Sequence, residues 1–170
     1  DSNYANAKGG ALSIGGGTGV YLDTVWVSKS TFKNNWVDDD NTSNKIQTYG
    51  GAINLQHGMY IIIANSTFEN NMVISKNSDY GSFGGAISIS RSWDEKSKPL
   101  LHISNSRFTK NKNRTEFGAN AHGGAIYAGA PFAMYNTVID SNTAEAVAQN
   151  GRGVGGGLFV DIGTFWDQNG

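Results

Sequence analysis

The chain has no cysteine, only two prolines and few charges, and each scarcity excludes something. Without cysteine there are no disulfides and no thiolate metal sites, although an extracellular location stays open because a large enough core needs no covalent staples. Charged residues make up 16% of the 170 positions. That is below the roughly 25% usual for soluble domains, so disorder driven by charge repulsion is not expected. With 13 Lys+Arg against 14 Asp+Glu the net charge is −1, and no basic run is present to follow a phosphate backbone. Nucleic acid is therefore not an expected partner. The longest near-continuous apolar stretch, Met59 to Ala64, is far shorter than the roughly 20 residues of a membrane-spanning helix. The N-terminus also lacks the basic-then-apolar pattern of a secretion signal.

What the chain has in abundance is glycine and asparagine, 23 and 19 residues, and they fall into a repeat. A Gly-Gly-small-aliphatic element occurs at Gly9-Gly10-Ala11-Leu12, Gly50-Gly51-Ala52-Ile53, Gly84-Gly85-Ala86-Ile87 and Gly123-Gly124-Ala125-Ile126, and more loosely at Gly155-Gly156-Gly157-Leu158. Alternating with it is an aromatic or aliphatic residue followed two variable positions later by Asn: Phe32 to Asn35, Phe68 to Asn71, Phe108 to Asn111 and Ile139 to Asn142. The glycine pairs are 41, 34, 39 and 32 residues apart. Insertions are confined to two places, as in Val37 to Tyr49 and Ser90 to Pro99. Rigid segments joined by elastic corners are the mark of a solenoid.

Within a unit the apolar period is two. Ile87 and Ile89 flank Ser88, Leu101 and Ile103 flank His102, and Val25 and Val27 flank Trp26. These are short strands with one buried face, and no window carries a helical stripe. The expected fold is all-β: a right-handed parallel β-helix of about four to five coils with variable loops, residues 1–170 forming one domain. In-register stacking would then build an amide ladder from Asn35, Asn71, Asn111 and Asn142 and an aromatic column from Phe32, Phe68 and Phe108. The glycines would occupy a sharp corner or a close backbone approach. Asn54, Ser88 and Tyr127 would share an outward strand position. Asp1-Ser2-Asn3 repeats Asp140-Ser141-Asn142, so the chain begins inside a unit. The expectation is a piece of a longer solenoid, or copies stacked end to end into a fibre.

The alternation of Gly-Gly-Ala-Ile with Phe-x-x-Asn resembles the polymorphic outer membrane protein repeat of chlamydial autotransporter passengers and of other bacterial and protist surface proteins. It spans nearly the whole chain. The resemblance implies a cell-surface or secreted β-helix, acting as an adhesin segment or a scaffold, with no catalytic residues. Its partners would be flanking β-helix coils or copies of itself, and a host-cell protein or glycan.

The competing class is a carbohydrate-active β-helix enzyme, a polysaccharide lyase or hydrolase, which needs carboxylates facing across a cleft or a calcium-binding acidic cluster with an arginine base. The one acidic run, Asp38-Asp39-Asp40, with Gln56-His57-Gly58 further on, is similar to the Asp-Asp and Gly-His-Gly elements of polygalacturonases. Gln56 stands where that pattern has glycine, however, and no Arg-x-Lys follows. Asp38, Asp39 and Asp40 read as a solvated loop with weak Ca²⁺ affinity at most, and no other cofactor is expected. His57, His102 and His122 occupy different places in their units and would not converge on zinc. Three glycosylation sequons begin at Asn41, Asn65 and Asn113, no more than composition alone produces. Asn41 and Asn113 are expected in exposed loops, whereas Asn65 aligns with Asn105 and Asn136 as a buried ladder member. Aromatic side chains are the best contact groups. Trp93 ranks first, followed by Trp36, Tyr80 and Phe117, where a ring could stack on a sugar or a partner side chain. Tyr49 and Phe83 share the position before the glycine pair and are expected to stack on each other.

Overall fold

The computed structural model describes residues 2–5, 8–15, 23–39, 47–56, 59–76, 81–90, 100–117 and 120–161. These residues contain no helix. In chain order their strands are β1 (Tyr4–Ala5), β2 (Leu12–Ile14), β3 (Asp23–Ser28), β4 (Thr31–Lys33), β5 (Trp36–Asp39), β6 (Thr48–Tyr49), β7 (Ile53–Leu55), β8 (Met59–Ala64), β9 (Thr67–Glu69), β10 (Met72–Ser75), β11 (Ser82–Phe83), β12 (Ile87–Ile89), β13 (Leu100–Ser104), β14 (Arg107–Thr109), β15 (Lys112–Thr115), β16 (Ala121–His122), β17 (Ile126–Ala128), β18 (Phe132–Tyr135), β19 (Val138–Asp140), β20 (Thr143–Ala146), β21 (Gly153–Val154) and β22 (Leu158–Val160). All pairings between them are parallel, and each joins strands five apart in the chain, except that β1 pairs with β5. There an isolated bridge from Lys8 to Tyr49 stands in for the missing strand. The result is five parallel sheets, named here after β10, β11, β12, β13 and β14, through which the chain circulates in that order. The protein is a parallel β-solenoid.

Register puts like above like. Ile53, Ile87 and Ile126 are mutual partners across β7, β12 and β17, as are Leu55, Ile89 and Ala128. Ile61 lies over Leu101 and Ile63 over Ile103. These side chains are fully or almost fully buried and form one core with Phe68 and Phe108. The three central strands of the β12 sheet, β7, β12 and β17, are buried on both sides: Asn54, Ser88 and Tyr127, expected to point outward, are buried as well. Tyr127 is covered from the neighbouring sheet by Phe83, which packs edge-on against it at 4.7 Å.

Three left-handed corners close each winding. Between the β11 and β12 sheets sit Gly50, Gly84 and Gly123 with φ of 54°, 64° and 72°. A Cβ on Gly84 would lie 1.9 Å from the Ile87 carbonyl oxygen, so the first glycine of each pair is required by conformation. The second is required by approach: a Cβ on Gly85 would lie 2.0 Å from the carbonyl oxygen of Gly124 in the next winding. The other two corners use Asn, Lys or Ser in place of Gly. Lys29, Asn65, Asn105 and Asn136 have φ of 45° to 52°, and Asn34, Asn70, Lys110 and Ser141 have φ of 54° to 56°. Asparagine is the side chain that best tolerates this region.

Three expectations are corrected here. Asn65 lies exposed at a left-handed corner, its residue pointing away from the interior, and the equivalent Asn136 donates across the surface to Asn105 Oδ1 at 2.5 Å. Asn113 is no loop residue. It lies in β15, fully buried, donating to the carbonyls of Ser82 and His122 at 2.9 Å and accepting from Ser82 Oγ. Nor are Asp38 and Asp39 in a solvated loop: β5 extends through Asp39, which is buried, while Asp38 accepts from Lys76 Nζ at 2.6 Å. Asp40, Asn41, His57, Tyr80 and Trp93 lie outside the described residues.

Candidate functional site

The corner between the β14 and β10 sheets organises the surface above it. Asn3, Asn35, Asn71, Asn111 and Asn142 stand in one file, each Nδ2 donating to the next Oδ1 at 2.8 to 2.9 Å. Asn71 shows the full pattern. Its Oδ1 also accepts the Asn35 backbone N–H at 3.1 Å, and its Nδ2 also donates to the Phe32 carbonyl at 3.0 Å. Four hydrogen bonds satisfy the buried amide, which is why a polar residue can fill an interior position. Beside this file Phe32, Phe68 and Phe108 stack with centroids 4.9 and 4.6 Å apart and planes within 5° of parallel.

A second ladder escaped the sequence reading. The hydroxyls of Ser66, Ser106 and Thr137 accept the backbone N–H of Ser30, Ser66 and Ser106 in the winding before, at 3.1 to 3.4 Å, and each donates two residues back to its own strand. The signal was available as a hydroxyl residue after each left-handed corner residue, in Lys29-Ser30, Asn65-Ser66, Asn105-Ser106 and Asn136-Thr137. The ladders and the core fill the interior of the windings.

An open groove of about 510 Å³ lies over the β10 sheet and its corner, lined by Ser2, Asn3, Tyr4, Asn34, Trp36, Asn70, Met72, Lys110 and Lys112. Two columns build it. Tyr4, Trp36, Met72 and Lys112 are register partners on one column, and the left-handed corner residues Asn34, Asn70 and Lys110 form the other. Tyr4 and Trp36 are 52% and 48% exposed and meet edge to face with centroids 6.1 Å apart. Asn70 Nδ2 donates to Asn34 Oδ1 at 2.7 Å. That leaves Asn34 Nδ2 and Asn70 Oδ1 without a hydrogen bond to the described residues. Lys112 pairs with Glu145 at 2.7 Å, and its hydrogen bond holds the Glu145 carboxyl below the usual range, helped by the charges of Lys112 and Arg114. Lys110 Nζ has no carboxylate within ion-pair distance among the described residues.

Of the aromatic residues singled out from sequence, Trp36 enters this groove and Phe117 does not, standing exposed beyond β15. Tyr4, unremarked in the sequence, is the partner that makes Trp36 part of a site. Tyr49 and Phe83 stack at 5.0 Å, and His122 extends the stack from Phe83 at 5.3 Å. Burial lowers the His122 pKa, an effect the charge of Asp161 partly offsets, and raises that of the Tyr49 phenol. His102 leans on Tyr135 of the adjacent strand in the β13 sheet, whereas His122 lies in the β11 sheet. Among the described residues no three His, Cys, Asp or Glu side chains gather where they could hold a metal ion, and no helix is long and apolar enough to cross a membrane. Comparison of the chain with protein-family models, with curated proteins and with solved structures returns no match.

Proposed function

We propose that the chain is a non-enzymatic extracellular module: a right-handed β-helix of four to five coils that serves as a surface adhesin segment or as the structural subunit of a surface fibre stacked end to end. The observation that carries this reading is the division of labour between inside and outside. Ladders fill the interior corners, and the exposed aromatic, amide and ammonium groups converge on an outer sheet face. A rigid rod that presents a contact surface needs this arrangement, whereas a glycoside-cleaving enzyme needs an acid and a base across a cleft. None of the described residues that line the groove is a carboxylate. The likeness of the Gly-Gly-Ala-Ile and Phe-x-x-Asn elements to the polymorphic outer membrane protein repeat supports the surface location. Strands β4 and β19 each have one sheet neighbour among the described residues, and an unpaired strand side favours pairing with a further coil or a second copy.

Electron microscopy of the purified chain, with a parallel assay for new reducing ends or unsaturated products from acidic polysaccharides, tests the proposal. The expected result is no turnover. Filaments with a repeat of roughly 20 to 25 Å, about five coils at the inter-strand spacing, select the fibre, and isolated rods select the adhesin segment. Turnover of any acidic polysaccharide by the pure chain overturns the non-enzymatic reading.

A further inference from the structure

We infer that the groove over the β10 sheet binds an anionic glycan, a chain of carboxylated sugars running along the solenoid axis with one ring packed on Trp36. This deepens the reading of the chain as a surface module and rests on it. The argument starts from the two columns. Register places Tyr4, Trp36, Met72 and Lys112 at successive inter-strand steps of about 4.8 Å, so the chemistry changes in order along the axis. It is aromatic at one end, amide and thioether in the middle, and cationic at the other. A ligand matching that order has a flat apolar face, then hydroxyls, then negative charge. A uronate chain has all three. The C–H face of a pyranose packs on the exposed indole, hydroxyls meet the open donor Asn34 Nδ2 and acceptor Asn70 Oδ1, and a carboxylate meets Lys110. Lys112 already neutralises Glu145, so Lys110 supplies the charge selectivity.

Other ligands fit less well. A peptide could add as a strand only at a free sheet edge, but β5, β10 and β15 are each paired on both sides. An amphipathic helix needs a broad apolar stripe, and the apolar groups in the lining are Trp36, Tyr4 and Met72. A polyphosphate backbone is held by many cations, against two lysines here.

The test is calorimetric titration of the full chain with hexagalacturonate, with cellohexaose as the neutral analogue and hexaglutamate as the acidic peptide. Trp36→Ala should weaken hexagalacturonate binding by about tenfold or more. Lys110→Gln should weaken hexagalacturonate severalfold and reduce its salt dependence while leaving any cellohexaose binding unchanged. Trp26→Ala removes a 67% exposed indole outside the groove and should bind as the parent does. Circular dichroism and thermal unfolding of each variant separate loss of site from loss of fold, and Lys110→Gln, at an exposed position, keeps the test alive if Trp36→Ala folds poorly. Absence of hexagalacturonate binding at millimolar concentration, equal affinity in Trp36→Ala and parent, or tighter binding of hexaglutamate overturns the inference. Those outcomes leave the module reading standing, because that reading fails on turnover and not on affinity.

Discussion

Replacing Asn71 by alanine isolates the contribution of one ladder rung. The substitution deletes four hydrogen bonds, but its cost is set by what is stranded. The Asn35 backbone N–H and one Asn35 Nδ2–H lose their acceptor, and the Phe32 carbonyl loses its side-chain donor, while Asn111 Oδ1 keeps the Asn71 N–H at 3.0 Å. Asn35 and Asn71 are buried. At about 1–3 kcal/mol for each stranded buried group, the two donors alone give about 2–6 kcal/mol, and a loss near 4 kcal/mol is expected. Against a typical total of roughly 5–15 kcal/mol this is a large fraction. Asn70 next door is the control. It is exposed, holds φ at 54° and makes one side-chain bond, to Asn34, so Asn70→Gly exchanges that bond for relief of left-handed strain and should stay within about 1 kcal/mol of the parent. Asn71→Asp sharpens the test, because a carboxylate can accept from Asn35 but would face Asn111 Oδ1 and the Phe32 carbonyl with no proton to give. Its folded pKa would be raised, so stability present at low pH is lost as pH rises, and the variant should be more stable relative to parent near pH 4 than near pH 7. Urea unfolding followed by circular dichroism reads all three. An Asn71→Ala loss below about 1 kcal/mol, no larger than that of Asn70→Gly, refutes the claim that satisfied amides hold the windings in register.

Gly85→Ala should prevent native folding, because the new methyl meets the Gly124 carbonyl of the next winding; soluble expression with the parent's thermal transition would contradict this. Phe68→Ala, which empties a fully buried slot between Phe32 and Phe108, should cost about 3–5 kcal/mol in the same urea experiment. The pKa of His122 is lowered by burial, so the unfolded chain binds more protons between the folded and unfolded values. Stability from this group is complete above the ordinary value near pH 6.5 and declines as pH falls through the folded value. His122→Phe continues the ring stack below Phe83 and should flatten the melting-temperature profile on the acid side of the ordinary imidazole range; an unchanged slope would assign the dependence to another group.

The glycine pairs, the buried Asn file and the Phe column were legible because each repeats one residue type at one place in every unit, and stacking is the physical reason a sequence does that. Other features hid because their chemistry is split among residue types. The left-handed corner before each hydroxyl is Lys29 in one winding and asparagine in the next three, since the backbone needs only a tolerated φ there. β15, Lys-Asn-Arg-Thr, carries no apolar residue, so its alternation of buried Asn113 and Thr115 with half-buried Lys112 and Arg114 leaves no hydropathy pattern. Polar interiors satisfied by neighbouring windings defeat the rule that polar means exposed, which is why Asn113 and Asp39 were placed outside. Trp36 could be nominated from sequence as a contact group. Its neighbours Tyr4, Asn70 and Lys110 could not, because they come from residues 32 to 74 positions away and meet only through register.

The parallel pairing of every strand with its counterpart in the next winding has a mechanical side. Its hydrogen bonds point along the rod, as do the amide and hydroxyl files, so tension on the axis would load them end-on and open the weakest layer first. Sideways bending would instead compress stacked rings on one flank. Such a body would come apart layer by layer, and a rod of this design would withstand shear better than a pull along its axis.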